Sequence, residues 1–175
     1  MEDYNKIKII ISDIDGVWTD GSVYKGTDNM EFKKFSVFDG VGVAYARAAD
    51  LKIAIISARY SPATEYRAKE LNIEDCYNGG LNKLHAYNEI KQKYSLSDDM
   101  IAYLGDDMVD LPVMESVGLP IAVANSTPEI LKVAKHITKV KGGEGAFREA
   151  VEYIIKMQGR TKEVTKKMVE RVLNS

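Results

Sequence analysis

Short apolar runs alternate along the chain with segments of helical period, and that alternation predicts a parallel sheet covered by helices. The runs span 7–14, 53–57, 75–77, 101–104, 121–123 and 136–138. Most are apolar on both faces, as strands buried on both sides of a sheet must be. Between them, Ser61 followed by Pro62 reads as an N-cap with proline in the first turn, opening a helix to about Leu71. Further helices are predicted over 82–94, 109–117, 128–134 and 145–158, with Gly118 and Gly159 as stops.

Two segments depart from the rhythm. Residues 21–38 carry Val23, Met30, Phe32 and Phe35 around the turn-forming Lys25-Gly26-Thr27-Asp28-Asn29, which predicts a β-hairpin inserted after the first strand. Residues 160–175 place Val164, Met168, Val169, Val172 and Leu173 on one helical stripe. That tail has two readings: packing on its own domain, or contact with a neighbouring subunit. The expected organisation is one domain over 1–159 followed by a helical tail over 160–175, in the α/β class, as a Rossmann-like three-layer sandwich with a mostly parallel sheet.

A chain of 175 residues, 45% hydrophobic and 29% charged, has the balance of a globular protein and length for one sizeable core. A net charge of -2 argues against a protein that coats nucleic acid, while leaving room for a local basic cluster that binds an anion. The single cysteine, Cys76, can form no internal disulfide, and residues 1–8 are polar, with no run long enough to span a bilayer. A cytoplasmic protein without membrane or nucleic-acid partners is expected.

The candidate chemistry sits where predicted strands end, the edge at which open α/β sheets place ligands. The first strand runs into Asp13-Ile14-Asp15-Gly16, two carboxylates at i and i+2 that share a face until the chain turns. They either solvate a strand end or share a hard divalent cation such as Mg2+, which would relieve their repulsion. The strand at 101–104 runs into Gly105-Asp106-Asp107, with Asp110 three residues on, and helix capping is the alternative reading there. Convergence of both clusters favours the cation, with Asp106 completing a site begun by Asp13 and the backbone carbonyl of Asp15. Ser57 offers a hydroxyl and Arg59 a guanidinium at a third strand end, though both residue types are common in turns and on surfaces. Lys83 opens a helix, where a cation opposes the dipole unless an anion lies close. His85 and His136 lack metal-ligand spacing and read as structural.

The ordered set Asp-x-Asp, Ser, Lys, Gly-Asp-Asp-x-x-Asp resembles the haloacid dehalogenase superfamily of phosphatases. More narrowly, the hairpin, the short length, Phe38-Asp39-Gly40-Val41-Gly42, Arg59, Arg67, Asn82-Lys83, Tyr103-Leu104-Gly105-Asp106-Asp107 and Gly142-Gly143-Glu144-Gly145-Ala146-Phe147-Arg148-Glu149 resemble the 3-deoxy-D-manno-octulosonate 8-phosphate phosphatase family. The resemblance covers about residues 5–158. It departs at Ser57-Ala58-Arg59, where the family commonly has Thr-Gly-Arg, and in a tail beyond Gly159 that is longer and more helical than the family's.

The resemblance implies a Mg2+-dependent phosphoric monoester hydrolase of lipopolysaccharide precursor synthesis. Asp13 would be the nucleophile and Asp15 the general acid and base. Ser57 and Lys83 would bind phosphate; Asp13, Asp15 (by its carbonyl) and Asp106 would hold the metal; Asp107 and Asp110 would orient those ligands. Ser36, Val37, Phe38, Asp39, Gly40, Arg59 and Arg67 would read the sugar acid, and Arg148 is a further candidate. Family members are usually homotetramers whose hairpins form a central barrel and whose subunits cover one another's sites. Two alternatives stand beside this reading: a phosphatase of a nine-carbon 3-deoxy sugar acid, and a silent tetramerisation module, which the presence of Asp13, Asp15, Lys83 and Asp106 disfavours.

Overall fold

Six parallel strands form the central sheet in the order β5-β4-β1-β6-β7-β8: β1 (Ile9–Ser12), β4 (Lys52–Ser57), β5 (Asp75–Asn78), β6 (Ile101–Gly105), β7 (Leu119–Ala122) and β8 (His136–Ile137). The computed structural model describes residues 4–28 and 30–174, so Asn29 of the predicted turn, residues 1–3 of the polar opening segment and Ser175 of the predicted tail lie outside the described residues. β1 is Ile-Ile-Ile-Ser and wholly buried, pairing with β4 on one side and β6 on the other. Its alternating side chains feed two cores. Ile10 joins Ile55, Leu104 and Ile121 under α1 (Val37–Ala48) and α6 (Ala146–Met157), whereas Ile9 and Ile11 join Ile56 and Tyr103 under α3 (Lys83–Tyr94), α4 (Leu111–Met114) and α5 (Pro128–Val133). The three-layer α/β sandwich predicted from the alternation is thus present. The remaining helix between strands, α2 (Pro62–Glu70), packs Ala68 into the first core.

Helix α1 is absent from the sequence reading because its Gly40, Gly42 and three valines lower intrinsic helix propensity. Tertiary packing overrides that deficit. At Gly42 an added Cβ would lie 2.7 Å from the Arg148 backbone, so the glycine lets α1 and α6 approach closely. The helix also ends the predicted hairpin at 36 rather than 38: Val37 and Phe38 belong to α1, capped by Ser36, whose side chain accepts from Phe38 N. The helix predicted over 109–117 contracts to α4, since Pro112 favours the first turn of a helix.

The hairpin itself is β2 (Tyr24–Lys25) paired antiparallel with β3 (Glu31–Phe32). Its apolar residues divide: Val23, Tyr24, Met30 and Phe32 are exposed, whereas Phe35 packs against the first core. The tail forms α7 (Thr161–Leu173), which buries Val164 in the first core and packs on α1 and α6, while Val169, Val172 and Leu173 remain exposed. No described helix is long and apolar enough to cross a membrane.

Candidate active site

The carboxyl ends of β1 and β6, neighbours in the sheet, bring the two acidic clusters together as the sequence predicts. Asp13 N donates to Leu104 O at 2.9 Å, tying the residue after β1 to β6. One carboxylate oxygen each from Asp13, Asp106 and Asp110 lie within 4.8 Å of one another. The cation beside them is Lys83 at the start of α3, 2% exposed, with Nζ 2.9 Å from Asp13 Oδ1 and 2.6 Å from Asp110 Oδ1. The helix-opening lysine that opposes its dipole thereby finds its anions.

Asp110 differs from the other two acids in having its acceptors filled. Its Oδ1 accepts from Lys83 Nζ and from Tyr103 Oη at 2.6 Å, and its Oδ2 accepts from the backbone N–H groups of Asp106 (2.9 Å) and Asp107 (3.3 Å). It therefore braces the loop that carries Asp106 rather than facing a ligand. Asp13 Oδ1 and Asp106 Oδ1, by contrast, are buried and accept no aligned hydrogen bond; for Asp13 the Lys83 contact is an ion pair alone. Burial, then repulsion from Asp13 and Asp110, pushes the Asp106 carboxyl up to about 8, and burial followed by Asp110 raises Asp13 as well. Lys83 keeps a raised pKa because Asp13 and Asp110 outweigh its burial.

With all three carboxylates ionised, one ammonium would leave two negative charges, which a divalent cation would cancel. Hard oxygen donors with unmet lone pairs are the donor set that Mg2+ prefers. The residues present fit the ion, with Asp13 and Asp106 as its natural carboxylate ligands.

Glycines shape the loops around the acids. Gly16 adopts φ +88°, and a Cβ there would meet Asp106 Oδ2 at 2.0 Å. Thr19 Oγ1 accepts from the N–H groups of Gly16 and Gly21, both at 3.2 Å, closing the turn. The glycine-rich segment 142–145 docks on that turn: Gly143 N donates to Val17 O at 3.0 Å, and Gly142 N donates to Asn125 Oδ1 at 2.9 Å.

A cleft of about 350 Å³ opens above the acids, bordered by Asp13, Asp15, Gly16, Arg59, Asp106 and Asp107. Asp107 sits at its exposed rim and accepts from Met108 N at 2.7 Å. Asp15 faces two cations, Lys33 Nζ at 2.8 Å and Arg59 Nε at 3.6 Å. Arg59 in turn is gripped by Glu31, whose carboxylate lies 2.7 Å from Nη1 and also accepts from Ser61 Oγ at 2.7 Å. Hydrogen bonds from Arg59 and Lys25 hold Glu31 well below the usual carboxylate range.

The predicted sugar-reading residues divide into two places. Arg59 borders the cleft, whereas Ser36, Val37, Phe38, Asp39, Gly40 and Arg67 cluster at the start of α1 and none of them lines the cleft within one chain. There Arg67 Nη2 donates to Ser36 O at 3.2 Å, Asp39 is buried, and Val37 and Phe38 are exposed. Ser57 is also withdrawn: its hydroxyl donates to Arg59 O at 3.0 Å. Arg148 donates to Glu152 Oε1 and lies over the Phe38 and Tyr45 rings. His85 is exposed and His136 stacks on Tyr153.

Glu31 and Lys33 are the site residues the sequence reading missed. They alternate with Met30 and Phe32 along β3 and its continuation, so they occupy the face opposite the apolar one. An acid and a base at i and i+2 in a hairpin that follows a carboxylate loop are the signal that points to them.

The sequence pattern of the haloacid dehalogenase-like hydrolases matches residues 52–149. The chain is 40% identical over 157 residues to 3-deoxy-D-manno-octulosonate 8-phosphate phosphatase KdsC of Escherichia coli (strain K12), covering 90% of this chain and 84% of that protein. Among solved structures, the 3-deoxy-D-manno-octulosonate 8-phosphate phosphatase of Yersinia pestis superposes with a TM-score of 0.88 at 39% identity, covering 91% of this chain and 86% of the other. That of Moraxella catarrhalis, solved with a magnesium ion, a phosphate ion and a KDO molecule, gives 0.89 at 33% identity over 94% and 97% of the two chains. The chain therefore belongs to the haloacid dehalogenase-like hydrolases and, within them, to the 3-deoxy-D-manno-octulosonate 8-phosphate phosphatase family.

Proposed function

We propose that this chain hydrolyses 3-deoxy-D-manno-octulosonate 8-phosphate to the free sugar acid and inorganic phosphate, through a covalent phosphate on Asp13 and with Mg2+ as cofactor. The observation that carries the reading is the convergence of Asp13 and Asp106, whose buried Oδ1 atoms accept no aligned hydrogen bond, beside Lys83 at the ends of two adjacent strands. The relatives named for the eight-carbon substrate supply its identity.

In this mechanism an Asp13 carboxylate oxygen forms a bond to phosphorus as the bond to the sugar's 8-oxygen breaks, which divides one hard displacement into two easier ones. Asp15 gives its proton to the departing oxygen. It then takes a proton from the water that attacks the phosphorylated Asp13, releasing phosphate and restoring the carboxylate. Lys83 offsets charge at Asp13 throughout, and Asp110 fixes both Lys83 and the Asp106 loop. Mg2+, held by Asp13, Asp106 and the carbonyl of Asp15, would supply charge neutralisation at the transferring phosphoryl group. Ser57 would reach the phosphate by turning its hydroxyl from Arg59 O, and Arg59 suits the sugar carboxylate by its planar fork. Asp107 would orient the loop at the rim.

The remaining sugar readers at α1 lie outside the cleft of their own chain, which supports an assembly in which subunits complete one another's sites. We accordingly propose a homotetramer joined through the exposed hairpins. A role in lipopolysaccharide precursor synthesis follows from the substrate. A cytoplasmic location suits the lone free Cys76.

Phosphate release from the eight- and nine-carbon sugar acid phosphates tests the reading. Turnover is expected to favour the eight-carbon acid in kcat/KM, to stop in chelator, and to fall by about 10³-fold or more in Asp13→Asn. Full activity of Asp13→Asn would sink the covalent mechanism.

A further inference from the structure

Lys33 is the most deeply buried cation of the hairpin, and it stands next to Asp15. Its side chain is 0% exposed although the strand carrying it is a surface hairpin. Its ammonium lies 2.8 Å from Asp15 Oδ1, donates to Asp15 Oδ2 at 3.0 Å and donates to Thr64 Oγ1 at 2.9 Å. Thr64 is itself buried in α2, so the third contact fixes the ammonium against the body of the protein. Arg59 approaches the same carboxylate, its Nε 3.6 Å from Oδ2, and Glu31 anchors Arg59.

We propose that Lys33 is a positioning residue for proton transfer: it fixes the orientation of the Asp15 carboxyl group toward the leaving oxygen. The proposal rests on the reading of Asp15 as the general acid and base. An ammonium held against both Asp15 oxygens and tied to Thr64 limits the orientations open to that carboxyl group, and proton transfer to a leaving oxygen depends on orientation. The hairpin thereby contributes to chemistry as well as to assembly, and its E-x-K pair separates two duties: Glu31 holds Arg59, and Lys33 holds Asp15.

Dependence on the leaving group separates this role from a structural one. A sugar alkoxide needs a proton to depart, whereas 4-nitrophenolate does not. In single turnovers with Mg2+, Lys33→Met should slow release of the sugar acid from 3-deoxy-D-manno-octulosonate 8-phosphate by about 10- to 100-fold, part of the 10²–10⁴ that a general acid supplies. Release of 4-nitrophenolate from 4-nitrophenyl phosphate should change by less than about 3-fold, in proportion to that small demand for acid catalysis. Lys33→Arg, which keeps a cation, should recover part of the loss. Thr64→Val, which frees the ammonium without removing it, should show a smaller effect with the same preference and carries the test if Lys33→Met does not fold. Equal slowing of both substrates, or no slowing, overturns the role of Lys33. Asp15→Asn serves as the reference: if it lacks the leaving-group dependence, the general-acid reading of Asp15 fails, whereas dependence in Asp15→Asn without it in the Lys33 and Thr64 variants overturns the positioning role alone.

Discussion

Asp39 shows how one buried carboxyl group can set a pH dependence without entering the chemistry. It stands in the first turn of α1 and is 0% exposed; Oδ1 accepts from Arg148 N at 3.2 Å, and Oδ2 has no hydrogen-bond partner. Burial pushes its carboxyl up to about 6 from 3.8, against the downward pull of the Arg148 and Phe147 N–H groups and the Arg67 charge. The folded state therefore holds this proton more tightly than the unfolded state does. The resulting stability is fully present below about pH 4 and is lost as pH rises through about 6, amounting to about 2–3 kcal/mol. Asp39→Asn keeps the Oδ1 acceptor and removes the titration. Its melting temperature relative to wild type should rise between pH 4 and pH 8, and a constant difference across that range would refute the assignment. At this scale the sequence was most readable where a residue type is rare in its context: Asp13, Lys83 and Asp106 each sit at a strand end or helix start where charge calls for a partner. Glu31 and Lys33 were hidden because the hairpin is read from its apolar positions, and the charged residues between them carry no local sign of the partners they meet across the fold.

The loops that hold the acids depend on contacts between elements far apart in the chain. Segment 142–145, leading into α6, lies on the turn after β1, and Trp18 from that turn packs its ring 4.4 Å from that of Phe147 while donating to Ser12 Oγ at 3.0 Å. Gly142 has no space for a side chain, since a Cβ would come 1.7 Å from Gly16 O, a backbone atom that cannot rotate away. Gly142→Ala should therefore cost about 2–3 kcal/mol in urea unfolding and lower kcat by displacing the loop that carries Asp15. Gly80→Ala, where an added Cβ meets nothing within 4 Å, should stay within about 0.5 kcal/mol of wild type. Equal effects from the two would show that the close approach does not matter. Strands and most helices were legible because their burial pattern is written in local periodicity. Helix α1 was not, because its stability comes from α6, and local sequence carries no record of that partner.

For the molecule as a whole, the hairpin is the part on which the proposed assembly rests. Two paired residues on each strand make a ribbon too small to be stable alone in water. Beneath, it is latched to the core by the ion pairs of Glu31 with Arg59 and of Lys33 with Asp15, and Val23 borders the cleft; outside, it presents Tyr24, Met30 and Phe32, with Phe32 60% exposed. A polar inner face and an apolar outer one invert the arrangement expected of an isolated surface hairpin, and they suit a ribbon whose outer face is covered by copies of itself. Three apolar side chains repeated on each subunit would place the hydrophobic contacts of a tetramer around a shared axis. Phe32→Glu sets like charges against one another in that contact while leaving Glu31 and Lys33 on the opposite face. Sedimentation of the wild type at micromolar concentration should give four times the chain mass, and Phe32→Glu should shift it toward the monomer with a loss of turnover on the sugar acid phosphate. A wild type that sediments as a monomer, or a Phe32→Glu tetramer of unchanged affinity, would mean that the hairpin's outer face serves some other contact.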